Sequence, residues 1–294
     1  MGFNKIKLRR LLENTADLSL KRKARRIIEE INPKSKDKIL EVGSGDGYYP
    51  SLLARLGKFY IVGLEIDSRV LDTAERNFKM LGISYERMKK WKNRTNRGVY
   101  FVEGDANKLP FSNNYFSKII MSEVAEHLPN DLVGLKEVYR VLNKKGILVL
   151  TVPNWYFPFF WDPVNWVLQR LPFGGPIRKG FWAGIWNQHQ RLYSSQEIVE
   201  VLKNAGFTIS KAEVQTKWCL PFNHHLINLG ARALAGGILP KSLHSQMNKF
   251  EENKAKKSWI IRFYNSLAQF ADGYNKKSYK KIGTTIFIKA IKKI

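Results

Sequence analysis

This 294-residue chain has one cysteine, Cys219, so no intrachain disulfide can form and a reducing, intracellular compartment is expected. Long apolar runs are missing too. No stretch reaches the 18 or more uninterrupted apolar residues that a membrane-spanning helix requires. Phe3 to Leu12 is basic throughout and lacks the apolar centre of a secretory leader, which favours the cytoplasm. Repeats and low-complexity tracts are absent, excluding solenoid and fibrous architectures. Acids are scarce: 25 Asp and Glu face 50 Lys and Arg, for a net charge of +25. Residues 1–38 carry +7 and residues 241–294 carry +10, leaving +8 on the body between them. Basic flanks on a nearly balanced body suit an anionic surface, either lipid headgroups or nucleic acid. A third basic run, Lys89 to Arg97, reads as a solvated loop.

What is present begins with Ile39-Leu-Glu-Val-Gly-Ser-Gly-Asp-Gly47. Ile39 to Val42 reads as a buried strand, and Tyr48 to Leu56, with Pro50 in its first turn, reads as a helix. A strand feeding a helix through a glycine turn builds a ligand site at the carboxyl edge of an open α/β sheet. The spacing is GxGxG behind Glu41, and an acid at that place would repel a pyrophosphate. It suits a ligand carrying an ammonium and a sulfonium. Three further apolar strands end in polar or acidic residues: Tyr60 to Glu65, Val99 to Asp105, and Phe116 to Glu123.

In that order, the four segments resemble the motifs of class I methyltransferases, which bind S-adenosylmethionine. The resemblance covers about residues 30–153 and 187–215 plus the last strand. It implies that Glu41, Gly43, Gly45 and Gly47 cradle the cofactor and that Glu65 accepts the ribose hydroxyls, with Ile66 beside it. It further implies that Asp105 and Ala106 meet the adenine and that Ser122 lies near the transferred methyl.

The remaining pattern alternates helices and strands, implying one doubly wound, Rossmann-like sheet of seven strands. Asp131 to Leu142 has helical spacing, and Ile147 to Val152 is a strand. A capping signal at Ser194 opens a helix to Asn204, and Phe207 to Val214 is the sixth strand. Thr284 to Ile291 is the last, antiparallel as in the resembling family. The single domain divides into basic N-terminal helices (1–37), a cofactor core (38–154), a first insertion (155–193), a helix and strand (194–216), a second insertion (217–281) and the last strand (282–294). Five of eight tryptophans fall in the first insertion. The second contains Trp218 to Pro240 and a one-faced apolar pattern at Ile260, Phe263, Tyr264, Leu267 and Phe270. Such aromatic helices fit either a lid over the substrate or a peripheral helix on an anionic membrane face.

One cluster could carry chemistry on the acceptor. If Glu123-Val-Ala-Glu126-His127 is helical, both carboxylates and the imidazole face one way. The pattern is similar to that of ubiquinone-pathway O-methyltransferases and small-RNA ribose methyltransferases. In some of those, two acids, the histidine and a second histidine past the fifth strand hold a metal, and His189 sits at the matching place. The resemblance thus implies a divalent cation on Glu123, Glu126, His127 and His189, or a carboxylate–histidine base using His127, His189 and Glu123. His224 and His225 are assigned no role. The expected activity is methyl transfer to a small or lipid-linked acceptor, at oxygen. The rivals are a ribose 2′-O-methyltransferase acting on RNA and a scaffold that keeps the fold without catalysis.

Overall fold

A computed structural model describes residues 3–223 apart from 14 and 16, together with 225–226, 229, 248–250, 259–275, 279 and 281–293. Two helices, α1 (Lys5–Leu11) and α2 (Leu18–Ile31), precede the sheet. The Asp17 side chain caps α2 by accepting from Ser19 N and Leu20 N. One face of α2, formed by Ala24, Ile27, Ile28 and Ile31, is buried. The opposite face keeps its lysines and arginines toward the exterior or toward acids, as an amphipathic period dictates.

The core follows as β1 (Lys38–Val42), α3 (Tyr48–Leu56), β2 (Tyr60–Glu65), α4 (Ser68–Met80), β3 (Glu86–Met88), β4 (Gly98–Glu103) and β5 (Phe116–Ser122). Then come α5 (Asp131–Val141), β6 (Leu142–Pro153), α6 (Pro163–Leu168), α7 (Ser195–Asn204), β7 (Phe207–Gln215), α8 (Trp259–Gly273) and β8 (Thr285–Lys292). The strands form one sheet in the order β3-β4-β2-β1-β5-β6-β8-β7. Only β8 runs against its neighbours β6 and β7. The order reverses between β1 and β5, placing the ligand crevice beyond the ends of those strands.

The sheet has eight strands, not the seven expected. The addition is β3, three residues paired in parallel with the edge of β4. A strand this short shows no alternation to read. The basic run behind it is largely exposed, as expected, with Arg94 clamped on Glu86 and Trp91 stacked edge-on against Phe111.

Both sheet faces are covered. One core gathers Val62, Met121, Leu135 and Leu150 beneath α5 and α7; the other gathers Ile27, Leu52, Phe78 and Phe287 beneath α2, α3 and α4. Burying each such side chain stabilises the fold by roughly 1.5–3 kcal/mol before entropy is counted. The first insertion has a smaller core of its own, built on Phe157, Trp161, Ile185 and Trp186. Buried Asp162 pins it, accepting from Asn165 N and Nδ2 and from Ile185 N. Most of Trp218 to Pro240 lies outside the described residues. No helix among the described residues is long and apolar enough to cross a membrane.

Candidate active site

The glycine turn after β1 divides its labour. All three glycines have left-handed φ values: +71° at Gly43, +53° at Gly45 and +80° at Gly47. A Cβ on Gly43 would meet Val124 at 2.4 Å, and one on Gly47 would press against Phe78 and Ala74. Internal packing therefore requires these two. Gly45 has nothing within 4 Å of the Cβ position and faces open space. Its amide donates to Glu65 Oε2 at 2.9 Å, while Glu65 Oε1 accepts from Ile66 N at 2.9 Å. The end of β2 is thereby tied to the turn, and the large apolar side chain of Ile66 is exposed beside it.

Glu41 is buried directly beneath, and its Oε2 has no hydrogen-bond partner among the described residues. Burial, reinforced by the negative charges of Asp46 and Glu65, pushes its carboxyl well above the usual range. A buried acid with an unused oxygen beside an open glycine fits a cationic ligand, which would restore its charge. Asp105, exposed after β4, accepts from Asn107 N at 2.8 Å, and Ala106 is buried behind it. Ser122 Oγ lies 2.9 Å from Thr151 Oγ1 and 3.4 Å from Tyr49 OH.

The acid-rich segment after β5 departs from expectation. It is not an α-helix: Glu123 has φ +57°, and only Ala125–His127 makes a 3₁₀ turn. Glu123 is therefore not aligned with the other two by helical spacing. It accepts from Thr151 Oγ1 at 3.0 Å and pairs with Lys23 at 3.3 Å. Glu126, His127 and His189 do come together, each offering one donor atom within 4.8 Å of the others. Their rings pack edge to face at 4.8 Å, and His127 Nδ1 lies 3.1 Å from Gln188 O. Glu126 is wholly buried, 3.8 Å from His189 Nε2, and neither of its oxygens has a hydrogen-bond partner among the described residues. Burial first, and Glu123 second, raise its pKa well above the ordinary value.

Glu123 and His189 meet instead on the wall of a cavity of about 210 Å³. Its other walls are Asp17, Ser19, Leu20 and Lys23 from the N-terminal segment, Trp161 and Ile185 from the first insertion, and Pro153, Thr284 and Thr285 from the sheet. Sequence motifs gave no hint of the N-terminal or β8 contributions, because neither carries a local signature.

Residues 40–150 match the Methyltransferase domain family. These residues form a methyltransferase domain of the S-adenosylmethionine-dependent kind. The methyltransferase is similar to demethylmenaquinone methyltransferase of Thermotoga maritima, with 28% identity over 215 residues covering 69% of this chain and 82% of the relative. It is also similar to 2-methyl-6-phytyl-1,4-hydroquinone methyltransferase 2 of Oryza sativa, at 30% over 135 residues. That match covers 46% of this chain but spans only 33% of the plant protein. Among solved structures, the cyclase SpnF shares the fold with a TM-score of 0.56 and 18% identity, covering 93% of this chain and 80% of SpnF. The YcgJ protein of Bacillus subtilis does so at 0.51 and 16%, covering 93% and 99%. One of these neighbours is a cyclase, so the fold alone does not dictate chemistry. The methyltransferase uses S-adenosylmethionine as its cofactor, and its relatives act on small molecules.

Proposed function

We propose that this methyltransferase methylates a hydroquinone-like ring bearing an apolar tail. The observation that carries this reading is the 215-residue alignment with demethylmenaquinone methyltransferase, which is longer than the stretch 40–150 matched by the domain family. The cavity supports it: hydroxyl and acid groups line it together with the apolar side chains of Leu20, Trp161 and Ile185. The cofactor brings an already activated methyl group, so the protein needs chiefly to orient the acceptor and exclude water. In this reading Glu41, Gly45, Glu65, Ile66, Asp105 and Ala106 hold the cofactor, while Gly43 and Gly47 shape the turn. Ser122 sits between the two sites.

His189, backed by Glu126, takes the proton from the ring hydroxyl, and His127 steadies the pair. Deprotonation also enriches the neighbouring ring carbon, whose own hydrogen would leave as a proton after the methyl is attached, restoring the aromatic ring. A related protein of Coxiella burnetii is named a ubiquinone/menaquinone C-methyltransferase, and we assign the methyl to carbon rather than oxygen on that likeness. The three-residue cluster is read as proton-handling. Ligands about 2.1 Å from one metal lie at most roughly 4 Å apart, so the cluster would have to contract to hold a cation. The RNA reading gains no support from these relatives.

The exposed side chains of Phe263, Phe270 and Tyr274, with Trp218 packed 6.2 Å from Tyr274, suit a peripheral seat on an anionic membrane where such acceptors reside. The deciding experiment supplies prenylated hydroquinones and deuterium-labelled S-adenosylmethionine, then seeks a labelled methyl by mass spectrometry and locates it by NMR. Labelled nucleosides with unlabelled quinols would overturn the proposal.

A further inference from the structure

Lys23 belongs to no motif, yet α2 delivers it into the acceptor cavity. Its Nζ stands 3.3 Å from Glu123 Oε1, and the side chain is only 15% exposed. Among the described residues lining the cavity, Lys23 is the one with a permanent positive charge. The charged and titratable groups around it are Asp17 at the start of its own helix, Glu123 after β5, Glu126 in the 3₁₀ turn, and His189 from the first insertion.

Glu123 is anchored from its other side. Thr151 Oγ1 donates to it, Ser122 bonds Thr151, and Tyr49 of the glycine-turn helix reaches Ser122. Lys23, on a flexible four-carbon stem, has no such second anchor among the hydrogen bonds described, so it is the partner able to turn toward an arriving anion. The cavity's size limits what arrives. A void of about 150 Å³ accepts benzene, so 210 Å³ takes one substituted ring while any tail extends outward.

We infer that Lys23 binds the deprotonated oxygen of the acceptor, a phenolate or enolate, in competition with Glu123. This rests on the proposed methyl transfer and specifies the ionic form of its substrate. An amine acceptor would meet repulsion from Lys23 as its charge developed. A phenolate instead presents its negative charge to a cation positioned to receive it, and exclusion of water strengthens the attraction.

The test uses 4-nitrophenol, a single-ring probe whose phenolate is yellow, and requires no turnover. Its apparent pKa is titrated by absorbance with the full chain in excess. Wild type is expected to lower it by about one unit or more, the effect of a cation within ion-pair range. Lys23→Arg should preserve the shift, Lys23→Met should remove it, and Glu123→Gln should enlarge it by freeing the lysine. An unshifted probe with wild type, or an equal shift with Lys23→Met, overturns the assignment. If Lys23→Met does not fold by thermal melt, Glu123→Gln decides: a shift no larger than wild type overturns it. Calorimetry with S-adenosylmethionine on the same proteins separates the two readings. Failure of the probe with intact cofactor binding defeats only the role of Lys23, whereas loss of cofactor binding in wild type defeats the methyltransferase reading itself.

Discussion

The two halves of the crevice are built in opposite ways. The half we propose for the cofactor comes from the ends of adjacent strands: the turn from Glu41 to Gly47, then Glu65 with Ile66, then Asp105, each at the carboxyl end of a parallel strand. Neighbouring backbone holds each piece, as when the Gly45 amide meets Glu65. The half we propose for the acceptor is collected from five distant stretches, around residues 17–23, 123, 153–161, 185–189 and 284–285. No stretch suffices alone. The difference teaches that a ligand common to a whole family can be served by local geometry, whereas an individual acceptor is met by long-range packing of insertions and termini.

Substitutions should split the two halves cleanly. The largest effect is expected from Gly45→Val. Its left-handed backbone and the open space before it leave no room for both a side chain and a ligand, so cofactor binding should vanish in calorimetry. Retained binding would mean the ligand does not approach this turn. His189→Ala should lower kcat by about 10²–10⁴-fold, the usual worth of general acid–base help, while cofactor affinity stays at the wild-type level. A parallel fall in cofactor affinity would erase the division between the halves. Glu65→Ala should weaken the cofactor by about 1.5–3 kcal/mol, the range for charged hydrogen bonds, without altering nitrophenol binding.

Glu126→Gln sharpens the comparison through pH. The folded-state pKa of Glu126 is raised, so its contribution to stability is fully present below the unfolded value near 4.3 and is lost as pH rises through the folded value. The variant should therefore melt higher than wild type at neutral and alkaline pH and equally at pH 4 or below. An unchanged difference across that range would mean that Glu126 titrates normally. The smallest effect is reserved for chelation: EDTA should leave turnover unchanged, and loss restored by Mg²⁺ or Zn²⁺ would return a cation to the Glu126–His127–His189 cluster.

The cofactor half was legible because its constraints are short-range. A buried strand, an acid and alternating glycines lie within nine residues, and the left-handed conformations that demand glycine are a property of the turn itself. The pairing of Glu126 with His189 could be anticipated only through family resemblance, and the helical period assumed for Glu123 to His127 is replaced by a left-handed step and a single 3₁₀ turn. Lys23 could not be distinguished within Lys21-Arg-Lys-Ala-Arg-Arg26, since composition is silent about which of five cations faces inward. The third strand was missed because three residues hold too little pattern.

Periodicity and glycine placement in the sequence determined the doubly wound sheet, while the antiparallel last strand and the cofactor were implied by the resemblance of its motifs to a known family. Those are properties of hydrogen-bonded backbone and of residues adjacent along the chain. Tertiary structure decided the rest: which lysine of α2 enters the cavity, how Glu123 comes to lie between Thr151 and Lys23, and how Thr284 comes to meet Ser19. The physical reason is that the Lys23–Glu123 and Ser19–Thr284 contacts join residues 100 and 265 positions apart, and their geometry exists only once both sheet faces are packed.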